Sequence, residues 1–131
     1  MAFNGSWYIK VGDYPIPLKF MAYKTYKSSR NVQDLDAYRD GDGKMHRNPL
    51  PHIVHKAEFE TPILTNAQFR ELMTNIRNNI DEDTHDCTFI LYDDFKNTYT
   101  EELEGYMPGT LEFEHFNKNI YEPMRLAVIE K

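Results

Sequence analysis

Trp7 to Val11 (WYIKV) is a short run of aromatic and branched residues, and Pro15 to Lys27 (PIPLKFMAYKTYK) returns to the same composition after a Gly12-Asp13 turn pair. The pattern predicts an opening hairpin. Pro15 and Pro17 have no N–H to give to a central ladder, so the second strand should begin at a sheet edge. From Ser28 to Pro51 no period is legible, and the three Asp-Gly or Gly-Asp steps and two prolines read as a loop of about two dozen residues. A structureless segment of that length inside a domain is uncommon and is usually functional or disordered. Alternation resumes at His52 to Glu60, with Ile53, His55, Ala57 and Phe59 on one side and Val54, Lys56, Glu58 and Glu60 on the other. Residues 28–51 therefore read as an arm, the end of a long hairpin that projects from the body.

Thr65-Asn66-Ala67-Gln68 has the spacing of a capping box. Phe69, Leu72, Met73, Ile76 and Ile80 then form one apolar stripe, which predicts a helix over about 65–80 that ends near Asp81 and packs one side onto a sheet. Cys87 to Tyr92, Thr98 to Tyr106, Thr110 to Phe116 and Ile120 to Ile129 read as further strands, separated by turns at Asp93 to Asn97, Met107-Pro108-Gly109 and Asn117 to Asn119. About seven strands and one helix give an α+β, mainly β class. The expected architecture is one domain over residues 1–131, an antiparallel β-sandwich or barrel with a flanking amphipathic helix and a long hairpin arm.

Composition supports a packed core, since 131 residues with 40% hydrophobic and 14% aromatic content can bury one without staples. Cys87 is the single cysteine, so no intrachain disulfide exists and a reducing cytoplasm is expected. No apolar run reaches membrane-spanning length and the N-terminus lacks the pattern of a secretory leader, so no membrane insertion is expected. The net charge of −6 repels phosphate backbones and argues against direct nucleic-acid binding. Residues 1–56 carry +4 and residues 57–131 carry −10. That asymmetry suits a head-to-tail contact between copies, although the charges could equally mix on one surface.

Candidate chemistry is sparse. His46, His52 and His55 invite a zinc reading, but His52 and His55 on one strand should point to opposite faces. Asp81 to Cys87 concentrates acids with a histidine and a thiol, yet follows a helix C-terminus, where a solvated turn is the ordinary explanation. Asp34, Asp36, Asp40 and Asp42 resemble a calcium loop, but the EF-hand spacing fails at Tyr38 and Met45. Ser6, Ser28 and Ser29 have no nearby histidine to activate them, and no GxSxG, P-loop, GxGxxG or HExxH motif occurs. No catalytic residue, cofactor or metal site is assigned from these residues.

The ordered features resemble a small family of tail proteins encoded by phages and prophages of Gram-positive bacteria. The likeness rests on an N-terminal Asn-Gly, YPIP after a short strand, Arg39 with Gly41-Asp42-Gly43 and Arg47 on the arm, TNAQFREL opening the helix, a TYTEE-like segment, and the ending LAVIEK. It spans nearly the whole chain through short, structural motifs. The resemblance implies a tail-tube-like fold, hexameric rings made with copies of itself and other tail proteins, and a place in the virion after synthesis in the host cytoplasm. It implies that Tyr38, Arg39, Lys44, Met45, Arg47 and Leu50 on the arm meet a neighbouring subunit. Acids at Glu101 to Glu104 and Glu112 to Glu114 would then suit a lumen that does not bind DNA. Two alternatives remain at this point: a small-ligand-binding β-barrel with aromatics lining its cavity, and a metal-dependent hydrolase using residues 81–87 or the histidines.

Overall fold

A computed structural model describes residues 3–108 and 111–131, without the side chains of Gln33, Leu35 and Leu50. The chain opens with β1 (Ile9–Val11) and β2 (Tyr14–Pro15), joined by the expected turn. Gly12 takes φ +56, and an added Cβ there would lie 2.5 Å from Asn79 Oδ1, so this turn needs glycine twice over. The strand expected from Pro15 to Lys27 is only two residues long. After two prolines the chain leaves the sheet for a 3-10 turn at Leu18–Phe20 that buries Phe20.

β3 (Lys27–Arg39) and β4 (Met45–Glu60) then form an antiparallel hairpin in register from Lys27↔Glu58 to Arg39↔Met45. Residues 28–51 are thus strands and a short turn, correcting the expected loop. Their pattern is illegible for two physical reasons. Register shifts at Val32/Asp34 and Asp34/Asp36 break the two-residue period. Among the described side chains from Asn31 to Pro49 only Asp40 is not exposed, so no covered face imposes an apolar alternation on the sequence.

β5 (Leu64–Thr65) leads into α1 (Asn66–Arg77). The capping box forms as the sequence predicts: Gln68 N–H donates to Thr65 Oγ1, and Thr65 N–H donates to Gln68 Oε1. Thr65→Ala should lower stability by about 1 kcal/mol in a denaturant titration, and Thr65→Ser should restore most of it. The helix stops at Arg77, earlier than expected: Asn78 N–H still reaches Thr74 O, whereas Asn79 N–H bonds Ile76 O three residues back and tightens the last turn. Asn79 Oδ1 accepts from Asp13 N–H, tying the helix end to the first turn.

The remaining strands are β6 (Asp86–Asp93), β7 (Thr98–Tyr99), β8 (Leu103–Tyr106), β9 (His115–Phe116), β10 (Ile120–Tyr121) and β11 (Arg125–Glu130). Three expected strands are therefore shorter or split. Between β7 and β8 the chain is pinned by Thr100, whose N–H donates to Leu91 O and whose hydroxyl accepts from Leu91 N–H. Pro123 separates β10 from β11, which lie in different sheets. Of the strand expected over Thr110 to Phe116 only His115–Phe116 pairs, and Gly109 and Thr110 are outside the described residues.

The main sheet runs β2-β1-β6-β8-β11-β4-β3, with β7 on β6, and β5-β10-β9 forms a second, small sheet. The main sheet is antiparallel and curls into a half-barrel. Tyr26, just before β3, stacks on Tyr8 and donates to Tyr92 O at 2.6 Å, and Ser28 reaches Asp94, so the start of the last strand meets the end of β6. Phe69, Leu72, Met73 and Ile76 of α1 fill the concave side with Ile9, Val11, Phe59, Phe89, Leu91, Leu126 and Val128. The fold is thus mainly β with one flanking helix, as the periodicities predict.

Candidate functional site: a projecting arm

β11 pairs with β4 only over Lys56 to Glu60. From Met45 to His55 the only neighbour of β4 is β3, which is itself the last strand of the sheet. At about 3.4 Å per residue this leaves a two-stranded ribbon about 34 Å long. Every described side chain from Asn31 to Pro49 except Asp40 is exposed, including Val32, Tyr38 and Met45. A bare two-stranded ribbon is at best marginally stable in water, so its local bonds and what it docks on must hold it.

The local bonds centre on the tip. Asp40 Oδ1 accepts from Asp42 and Lys44 N–H, both at 3.0 Å, while Oδ2 lies 2.8 Å from His46 Nε2. The His46 contact first, then these amides, hold the Asp40 carboxyl below its ordinary value. Gly43 takes φ +81 in the turn, and Arg39 donates to its carbonyl at 3.0 Å. Arg47 grips Asp34 through Nε and a terminal nitrogen, and Tyr38 stacks on His46, its cross-strand partner. Of the acids that resembled a calcium loop, Asp34 therefore pairs with Arg47 and Asp40 with His46 and turn amides.

Cross-strand pairing sorts the expected contact residues. Arg39 is opposite Met45 and Ala37 opposite Arg47, so Arg39, Met45 and Arg47 share one face; Tyr38 lies on the other with His46. Lys44 sits in the turn. Leu50 lies on β4, and its side chain is outside the described part of the structure.

At the arm's root the structure overturns the expectation that His52 and His55 diverge. Both reach Glu130: His52 Nε2 lies 3.0 Å from Oε2, and His55 Nδ1 lies 3.0 Å from Oε1. The convergence is possible because Glu130 stands beyond the last β11–β4 pair, where its carboxylate also accepts from His55 N–H at 3.0 Å and bridges the strand edge. Asp93, at the end of β6, faces His55 Nε2 at 3.8 Å. Sequence reasoning missed both acids, although one signal was present. Leu126, Val128 and Glu130 alternate onto the buried face, and an acid at an inward position requires a partner.

Among the described residues no three His, Cys, Asp or Glu side chains are placed to hold a metal ion. Asp81 instead accepts from Thr84 and Asp83 N–H, which lower its pKa, and His85 N–H returns to Asp81 O, so residues 81–85 are a hydrogen-bonded turn that leads into β6. Burial first, then Asp86, pushes the Cys87 thiol up to about 11. Its alkylation at neutral pH should therefore run roughly a hundredfold slower than that of a free cysteine, with denaturant restoring the ordinary rate. An apolar cleft of about 510 Å³ runs between α1 and residues 111–121, lined by Phe69, Met73, Leu111, Phe113 and Tyr121. Phe69, Met73 and Ile76 in its wall also belong to the core that fills the concave side of the sheet. No helix among the described residues is long and apolar enough to cross a membrane.

Comparison with known proteins adds three findings. The model of a family described as "Family of unknown function (DUF6711)" matches residues 1–131. No curated protein matches the sequence. The fold is similar to a chain in the tail of an empty gene transfer agent particle, computed with helical refinement and C6 symmetry, at TM-score 0.57. It is also similar to a chain in the virion of a native gene transfer agent particle, at TM-score 0.53. Each match is 14% identical and covers 99% of this chain and 95% of the other.

Proposed function

Since the chain belongs to the DUF6711 family of unknown function throughout residues 1–131, its role has to be argued from its geometry, and we propose that it is a structural component of a phage-type tail that assembles into rings of identical copies. The observation that carries this reading is the arm. A chain that extends a ribbon whose described side chains from Asn31 to Pro49 are all exposed except Asp40 has built a surface whose burial must come from outside. A neighbouring copy supplies that cover and repeats the contact around a closed ring. The match over nearly the full length to a chain from a C6-symmetric tail supports six copies and a tail as the setting. The net charge of −6 supports a partner that is protein rather than DNA.

On this reading Tyr38, Arg39, Lys44, Met45, Arg47 and Leu50 are interface residues, and the ring is the tube, the distal hub or the terminator of a virion from a phage or prophage of a Gram-positive host, made in the host cytoplasm. The two arm faces have different chemistry, since Arg39, Met45 and Arg47 stand apart from Tyr38 and His46. A ribbon gripped between two neighbours would use both. Light scattering with negative-stain images should show rings or short tubes of about six copies, alone or with other tail proteins. A strict monomer at high concentration, also in the presence of those partners, would overturn the proposal.

A further inference from the structure

The small sheet turns one face toward α1 and the other toward solvent. Tyr121 and His115 are cross-strand partners on the inner face, where Tyr121 is buried and stacks on Phe69 of α1 at 3.7 Å. By the two-residue period, the pairs on either side of them point outward. Phe116 and Ile120 form one of these pairs and are 76% and 46% exposed. On the other side Glu122 N–H donates to Glu114 O at 2.8 Å, which continues the register and sets Glu114 and Glu122, both exposed, beside the apolar pair. Arg70, Arg77 and Lys118 line the cleft on the inner side, and Arg125 is paired with Glu58, so the outer face keeps its negative charge. Adjacent large apolar side chains without cover, on a platform that the Tyr121–Phe69 stack holds to the body, mark a docking face.

The chemistry that fits this face stands on the arm. Arg39 and Met45 are cross-strand partners, and Ala37 and Arg47 form the next pair on the same side. Met45 is half exposed. Arg47 uses Nε and one terminal nitrogen on Asp34, and Arg39 uses one terminal nitrogen on Gly43 O, so each guanidinium has further N–H donors to give. Two guanidiniums beside a thioether on one surface thus match two carboxylates beside an aromatic and an aliphatic side chain on another.

We propose that the arm face formed by Arg39, Met45 and Arg47 docks on the outer face of the small sheet of a second copy. Met45 meets Phe116 and Ile120, where its flexible thioether packs on the ring, and the two arginines meet Glu114 and Glu122. This rests on the assembly reading above and names the surface that receives the arm. The contact also gives the uneven charge of the chain a use, since the arm lies in the +4 half and the small sheet in the −10 half. It joins two different surfaces, so it runs head to tail and repeats from copy to copy until the ring closes.

Charge exchange tests the docking site. Glu114→Lys with Glu122→Lys should lower self-association by about 30-fold or more, read by sedimentation in the condition where the wild type forms its particles. Arg39→Glu with Arg47→Glu should do the same. All four residues are exposed, so both chains should fold as the wild type does. The arginine changes also break the grip on Asp34, and a one-to-one mixture of the two variants removes that ambiguity. Each arm then meets a sheet of opposite charge on the other chain, which six copies satisfy by alternating, and assembly should return. Phe116→Ser should weaken assembly without lowering the thermal midpoint. Wild-type self-association of the Glu114→Lys, Glu122→Lys chain, or variants that fail alone and do not rescue each other, would overturn the docking site. If that chain lost only its binding to a different tail protein, the face would belong to that protein and the proposal would fall as well. Normal assembly of the glutamate variant beside loss of assembly without the arm removes the docking site and leaves the assembly reading standing. A wild type that stays monomeric in every condition removes both.

Discussion

With residues 33 to 52 replaced by Asn-Gly, the chain should remain folded and lose its self-association, its affinity falling by about 100-fold or more. The splice suits the register, because Val32 and Ile53 are a cross-strand pair and a two-residue Asn-Gly turn closes such a pair with the correct twist. Every described side chain it removes is exposed except that of Asp40, which packs only within the tip. The core cluster is untouched, so the thermal midpoint should move by no more than about 2 °C. Sedimentation of the shortened chain beside the full one reads the result. Full-size particles from the shortened chain would show that the arm is not what joins the copies. Arg47→Glu is a milder form of the same test, since it reverses one exposed charge and breaks the grip on Asp34 within the arm alone.

The largest effect on stability should come from Gly105→Ala. Gly105 sits on β8 between β6 and β11, opposite Cys87 on one side and Glu130 on the other. A Cβ there would lie 2.1 Å from the Ile129 carbonyl oxygen and 2.4 Å from Phe89 Cε1. The first is backbone in the middle of the sheet and the second is a fully buried ring, so neither can yield without parting strands or emptying core space. Overpacking at such a site costs about 3 kcal/mol or more, which for a chain of this size lowers the thermal midpoint by about 10 °C. Gly41→Ala is the matched control. Nothing lies within 4 Å of a Cβ at Gly41, so its stability should stay within about 0.5 kcal/mol of the parent. Equal behaviour of the two variants in a thermal melt would contradict this account of the β8–β11 contact.

The elements that the sequence reveals are those whose pattern is imposed by one covered face. Phe69, Leu72, Met73 and Ile76 repeat as a helix because one side of α1 meets the core, and Thr65 with Gln68 marks its start. Ala57 and Phe59 fall on one side of β4 because that side meets the core, while Glu58 and Glu60 are not buried. Where local chain geometry intervenes, the same reading overshoots. Pro15 and Pro17 end a strand that composition would continue, Pro123 splits one that looks unbroken, and Asn78 with Asn79 ends α1 before Ile80. The apolar character of these segments is real, since Ile16, Phe20 and Met124 are buried outside any long strand.

Local sequence thus determined the periodic parts of this protein: the helix and its cap, the inward positions of the central strands, and the existence of a projecting hairpin. Only the tertiary structure decided that residues 28–51 pair as strands, because a ribbon exposed on both faces carries no hydrophobic period. Only it brought His52 and His55 onto Glu130, and His55 toward Asp93. Those contacts join strands far apart in the chain, and the burial that makes each acid need a partner exists only once the sheet has curled.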